Sequence, residues 1–103
     1  MSRSPLPQRR RQLSFNLTHD GQRFTASVGF RENGQAAELF LAASKTSSAL
    51  EALARDAAIT VSLALQHGVP LQMMQHAATR DESGAPASLI GAALDAMARE
   101  IAR

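Results

Sequence analysis

The stretch from residue 47 to residue 71, SSALEALARDAAITVSLALQHGVPL, constrains the fold of this 103-residue chain most strongly, because it specifies one long helix with marked ends. Ser48 and Glu51 have the spacing of a capping box at the helix start. Gly68 is placed to take the left-handed conformation after the last turn, and Pro70 prevents continuation. Apolar residues recur every three or four positions, which forms a stripe along a helix. They are Leu50, Leu53, Ala54, Ala57, Val61, Ala64 and Leu65.

Three more apolar residues, Ala58, Ile59 and Leu63, widen this stripe beyond a single face. A helix that is apolar around much of its circumference is usually covered on more than one side. We therefore expect a sheet on one side of it and other helices or another subunit on another. On the solvent side, Glu51 and Arg55 have the i,i+4 spacing of a surface ion pair.

Two turn signals divide the preceding segment into three strands. Residues 13–17 and 24–30 alternate apolar with polar or small side chains, and Asp-Gly at 20–21 is a favoured hairpin turn between them. Asn-Gly at 33–34 predicts a second turn, followed by a third strand over about 36–43. This order predicts an antiparallel meander with one face on helices.

Gly29, in the middle of the second strand, predicts a bulge or a close backbone approach. After the central helix, Pro70 opens a short second helix over 71–78, and residues 79–86 form a loop rich in helix breakers. Pro86 suits the first position of a last helix that runs to about Ala102. The predicted order is β-β-β-α-α-α, an α+β two-layer fold.

Composition restricts the chemistry. With no cysteine, the chain has no disulfide, thiolate nucleophile or thiol-bound metal. His19, His67 and His76 fall at unrelated positions without metal-ligand spacing, and no catalytic triad is indicated. We therefore expect no cofactor and no enzyme acting alone. No apolar run approaches the ~20 residues that span a bilayer, so we expect no membrane partner and a cytoplasmic location.

The charge is concentrated at the start of the chain. Arg3, Arg9, Arg10 and Arg11 give the first eleven residues +4, whereas the remaining seven basic and nine acidic residues sum to −2. We expect residues 1–11 to be a disordered basic arm and residues 12–103 to be a single domain. The arm is either a hook for nucleic acid or a solubilising terminus, and we favour the second interpretation.

Four residues in the folded body are candidates for binding. Lys45, before the central helix, could bind an anion at the helix start, although helix capping is the favoured role of the segment 45–48. Thr79 and Arg80 lie in a loop, where Arg80 could hold a phosphate or carboxylate or instead tie the loop to a helix end or to nearby acids. Glu38, on the strand face with Phe40, is solvated or, as we favour, an ion-pair partner of Arg31, Lys45 or Arg80.

Several segments within roughly residues 22–86 resemble one known family. The most specific of them is SLALQHGVPL at 62–71. The supporting segments are SVGF at 27–30, NG at 33–34, ELFL at 38–41, ASK at 43–45, SSAL at 47–50, TR at 79–80 and SG at 83–84. Together they resemble the TSCPD domain at the C-terminus of vitamin B12-dependent ribonucleotide reductases, although the Thr-Ser-Cys-Pro-Asp string of that domain and all cysteines are absent. The resemblance therefore implies a free-standing accessory domain without the catalytic barrel.

Three functions follow as hypotheses. The leading one is a non-catalytic interaction module that forms a homodimer or binds a ribonucleotide reductase subunit. The second is a nucleic-acid-binding module that uses the arginine arm, although the sheet has only Phe40 as a possible stacking residue. The third is nucleotide sensing or a reductase-associated activity (ribonucleoside-diphosphate reductase by domain resemblance), for which deoxynucleotides or cobalamin would shift the melting temperature.

Overall fold

A computed structural model describes residues 11–44 and 48–103 of the chain. Its elements are β1 (Gln12–His19), β2 (Gln22–Phe30), β3 (Ala36–Ala43), α1 (Ser48–Gln66), α2 (Leu71–Ala77) and α3 (Leu89–Ala102). The predicted α+β fold and its element order are confirmed. Helix α1 begins at Ser48 of the predicted capping box, and residues 45–47 before it lie outside the described residues.

The three strands form an antiparallel sheet in the order β1-β2-β3. Leu17 opposes Phe24, and Ala26 opposes Leu41, so alternate side chains of all three strands enter one core. The register shifts between Gly29 and Phe30, which confirms the predicted irregularity in β2.

Helices α1 and α3 cover the apolar face of the sheet. The buried residues of α1 are Ala54, Ala58, Val61 and Leu65, and those of α3 include Leu94 and Met97. The predicted stripe on α1 is wrong at Leu53, which is 60% exposed. The helix is oriented so that Ala54 and Ala58 face the sheet. Leu53 therefore lies on the side of the helix, away from the core.

The end of α1 and the start of α3 are each fixed by local hydrogen bonds. Gly68 has a φ of +88°, and the bonds Gly68 N–H to Leu65 C=O and Val69 N–H to Ala64 C=O form a Schellman motif, as the sequence predicts. The predicted start of α3 at Pro86 is wrong. The helix begins after Ser88, whose Oγ accepts from the Gly91 N–H at 3.2 Å.

Pro86 instead pairs with Arg80 across the preceding loop and packs against α3. A Cβ added at Gly91 would lie 3.2 Å from the Pro86 Cβ and 3.4 Å from the Ala78 Cβ. The absence of a side chain at Gly91 therefore allows the loop to lie close to α3. Among the described residues, no helix is long and apolar enough to cross a membrane.

The outer edge of β3 is covered by α1 through polar contacts. The Ser62 Oγ accepts from the Leu39 N–H at 2.9 Å and lies 3.2 Å from the Leu39 carbonyl oxygen. The Gln66 Nε2 donates to the Ala37 carbonyl at 3.0 Å. These bonds satisfy backbone groups at a sheet edge, which would otherwise be open to pairing with another strand.

We predict that Ser62→Ala lowers the free energy of unfolding by about 1 kcal/mol, because the N–H of the buried Leu39 loses its acceptor. The matched control is Thr60→Ala on the same helix. The Thr60 hydroxyl donates to the Asp56 carbonyl at 2.8 Å, but Thr60 is exposed and makes no sheet contact. Urea denaturation of both variants measures the difference, and equal effects would contradict a role of Ser62 at the sheet edge.

Candidate functional site

A groove of about 480 Å³ lies between the outer side of β3 and the adjacent flank of α1. Three large apolar side chains in it are exposed: Phe40 by 56%, Ile59 by 49% and Leu63 by 53%. The other lining residues are Thr25, Ser27, Glu38, Leu39, Leu41, Ala42, Arg55, Ala58 and Ser62.

The groove borders a polar sheet face. On that face, Ser14 and Ser27 hydroxyls lie 3.2 Å apart, and Thr25 donates to Asn16 at 3.3 Å. Phe40 opposes Ser27 in the register, so its ring stands at the boundary between this polar face and the apolar flank of α1. The sheet face itself therefore has little apolar surface, and the exposed apolar area is concentrated in the groove.

The groove has opposite charges at its two ends. Glu38 is half-buried, with its carboxylate over Gly29, where an added Cβ would lie 3.0 Å from the Glu38 Oε1. This contact is the close approach that Gly29 predicts. At the other end, the side chain of Arg55 is exposed. The predicted Glu51–Arg55 ion pair is not among the salt bridges of the described residues; Arg55 lines the groove and, on its other side, a pocket with Glu51 and Asp56.

The favoured ion pair of Glu38 with Arg31 or Arg80 does not form within residues 11–44 and 48–103. Arg31 instead donates to the Gln66 carbonyl at 3.1 Å. Lys45, the third partner considered, lies outside the described residues. Glu38 thus contributes to the groove a carboxylate that is in no ion pair of the described residues, and Arg31 lines the adjacent pocket with it.

Arg80 is used to hold the loop between α2 and α3. Its Nη1 and Nη2 each lie 2.8 Å from an oxygen of Asp95 on α3, a two-bond pair. It also donates to the Gln75 carbonyl at 3.1 Å and to the Gly84 carbonyl at 3.2 Å. The structure therefore favours the interpretation that Arg80 ties its loop to a helix end, that of α2 at Gln75. The acid that Arg80 binds is Asp95 on α3 and not its sequence neighbours Asp81 and Glu82.

This pair alters the ionisation of Asp95. The hydrogen bonds from Arg80, with a further bond from Gln75 Nε2 at 3.0 Å, hold the pKa of Asp95 at about 2 despite partial burial. The same contact raises the pKa of Arg80. Both side chains are thus fixed in charged form by each other.

The rest of the loop is also ordered by local bonds. Asp81 Oδ1 accepts from the Ser83 hydroxyl at 2.7 Å and from the N–H groups of Ser83 and Ala85, and these bonds lower the pKa of Asp81. Thr79, the other loop candidate, accepts through its backbone carbonyl from the Ala87 N–H at 2.9 Å. Thr79 and Arg80 both belong to this loop, which lies in a different part of the fold from the groove.

Of the predicted arginine arm, only Arg11 falls within the described residues; Arg3, Arg9 and Arg10 lie outside them. The Arg11 carbonyl accepts from the Phe30 N–H at 3.3 Å, and its guanidinium lies 4.3 Å from the centre of the Phe30 ring. Both contacts attach Arg11 to β2. Arg11 therefore extends the folded body by one residue.

The described histidine and carboxylate side chains do not converge. In residues 11–44 and 48–103, no three of them come together in a way that could hold a metal ion. His67 is at the end of α1, where its Nδ1 lies 2.9 Å from the Leu63 carbonyl oxygen. It therefore has a local role at the helix end.

No protein-family model matches the chain, and no solved structure matches it.

We predict that Asp95→Asn lowers stability above about pH 5, and that this loss diminishes as the pH falls toward 2. In the unfolded chain, Asp has a pKa near 3.9, whereas folded Asp95 has a pKa of about 2. A depressed pKa stabilises the fold above the unfolded value and ceases to do so as pH falls through the folded value. Urea denaturation at several pH values measures the difference between wild type and variant.

Glu100→Gln on the same helix is the control, because its contact with Arg103 is a single 3.6 Å approach to a largely exposed side chain. It should change stability by only a few tenths of a kcal/mol at pH 7. An Asp95→Asn effect that is the same at pH 7 and pH 2 would show that the ion pair contributes no pH-dependent stability.

Proposed function

We propose that this chain is a non-catalytic module that acts by protein–protein contact through the groove between β3 and α1. The observation that carries the proposal is the exposure of Phe40, Ile59 and Leu63 side by side in one concave surface. Clustered exposed apolar side chains with a polar border are typical of interaction sites, whereas single ones are ordinary.

Burial of these side chains provides a driving force. Complete burial of a Leu, Ile or Phe side chain contributes roughly 1.5–3 kcal/mol, so covering three half-exposed ones contributes on the order of 3 kcal/mol. In a well-packed interface a few central apolar side chains account for most of the binding energy. The groove therefore has the anchors that a specific contact needs.

The two ends of the groove define the chemistry of the partner. A complementary surface has an apolar centre, a cation that faces Glu38 and an acid that faces Arg55. Such complementarity contributes to orientation more than to affinity. The partner is therefore a folded protein with an apolar contact face and charges of both signs at its ends.

The polar candidates support a non-catalytic role. Arg80 is paired with Asp95 and bonded to two carbonyls, so its donors are used within the fold. Glu38 lies apart from it, in the groove with Arg55, Ser27 and Thr25. No arrangement of nucleophile and base supports a reaction at these positions.

The resemblance to the TSCPD domain adds a specific heterologous candidate. Under that resemblance, a cytoplasmic ribonucleotide reductase subunit would occupy the groove. The nucleic-acid hypothesis depends on an arm of which Arg3, Arg9 and Arg10 lie outside the described residues, and no contact among the described residues favours it over protein contact.

We predict that Leu63→Ser weakens association at least tenfold, because it removes an apolar anchor from the groove. Leu53→Ser is the matched control: it is on the same helix and similarly exposed, at 60% against 53%, but does not line the groove. Sedimentation of the full chain measures self-association. Surface plasmon resonance with the purified B12-dependent reductase measures binding to that protein.

Two results would contradict the proposal. One is that neither complex forms with the chain at tens of micromolar. The other is that Leu53→Ser and Leu63→Ser weaken a complex equally, which would place the contact elsewhere on the molecule. Thermal unfolding of both variants verifies that each remains folded.

A further inference from the structure

We infer that the partner of the groove is a second copy of this chain, related by a twofold axis that places Glu38 of each copy opposite Arg55 of the other. The inference rests on the proposed contact function and goes beyond it by naming the partner and its orientation. It follows from the order of side chains along the groove.

That order comes from the contacts of α1 with β3. Ser62 bonds to Leu39 and Gln66 to Ala37, so the helix runs antiparallel to the strand. Arg55 precedes Ser62 by seven residues, or about 10 Å along the helix. It therefore lies toward the Ala42 end of the groove, away from Glu38.

Phe40 and Ile59 lie between the two charges, whereas Leu63 is level with Glu38 at one end. On α1, Arg55, Ile59 and Leu63 follow at successive turns, because residues four apart share a helix face. On β3, alternation places Glu38 and Phe40 on the same face of the sheet. Phe40 and Ile59 thus occupy the middle of the groove, with an acid toward one end and a cation toward the other.

The order of charges along this surface is complementary to itself after a half-turn. A twofold axis through the Phe40–Ile59 centre exchanges the two ends, which brings each Glu38 to the Arg55 of the other copy while the apolar centres meet. This is an isologous contact, in which the same patch serves both subunits. A second copy laid on in the same direction would instead oppose acid to acid and cation to cation.

Both charges are available for this contact. The ion pairs in the described part of the chain are Arg80–Asp95 and Arg103–Glu100, so neither Glu38 nor Arg55 is in one. Each dimer would form two cross-subunit pairs at the rim of its apolar centre. Rim pairs of this kind set the orientation at a small energetic gain.

The test uses two charge reversals, Glu38→Arg and Arg55→Glu, in the full chain. Each variant alone opposes like charges at both ends of its homodimer and should dimerise roughly tenfold more weakly than wild type. In an equimolar mixture, the heterodimer of the two variants has an ion pair at both ends: the unchanged Arg55 of one copy meets the unchanged Glu38 of the other, and the two introduced charges meet at the opposite end. Sedimentation equilibrium of each variant and of the mixture should therefore show recovery of the dimer only on mixing.

Glu82→Arg, an equal change of charge in the exposed loop away from the groove, should leave the dimer unchanged. Thermal unfolding of each variant confirms that weaker dimers are not misfolded chains. A wild-type dimer that is insensitive to both reversals, or variants that do not recover on mixing, would overturn the inferred orientation. A monomeric chain that binds the reductase through Leu63 would overturn the second copy but leave the proposed function standing.

Discussion

The structure depends on how the open edge of β3 is covered. A three-stranded sheet leaves backbone groups unpaired along its outer strand, and in this chain Ser62 and Gln66 of α1 bond to them at Leu39 and Ala37. These contacts hold α1 beside the strand as well as over the sheet. The same placement turns Ile59 and Leu63 toward Phe40 and creates the groove on which the proposed function rests.

The second half of the fold is secured by a different device. Arg80 and Asp95 join the loop after α2 to α3, and Gly91 permits the loop to pack closely there. The polar groups of this region are directed at one another, whereas the groove presents apolar side chains and two separate charges to solvent. We therefore assign a stabilising role to the loop between α2 and α3 and an interaction role to the groove.

Local patterns in the sequence predict most of the fold. Asp20-Gly21, Gly68 and the alternation of the strands determine turns, a helix end and the sheet face from neighbouring residues alone. The orientation of α1 could not be predicted in the same way, because Leu53 and Ala58 are both apolar and only the packing decides which is buried. Similarly, Arg80 was identifiable as a loop cation, but its partner Asp95 lies fifteen positions away and is brought near by tertiary contacts.

The most direct test of the central claim is an isotope-filtered NOE measurement on a mixture of labelled and unlabelled full chain. Our account predicts contacts between copies that join the Ile59 methyl groups of one chain to the Phe40 ring of the other. Contacts between copies at Met73 instead, which is exposed on α2, would place the interface elsewhere. The absence of any contact between copies at concentrations well above tens of micromolar would contradict the inferred dimer.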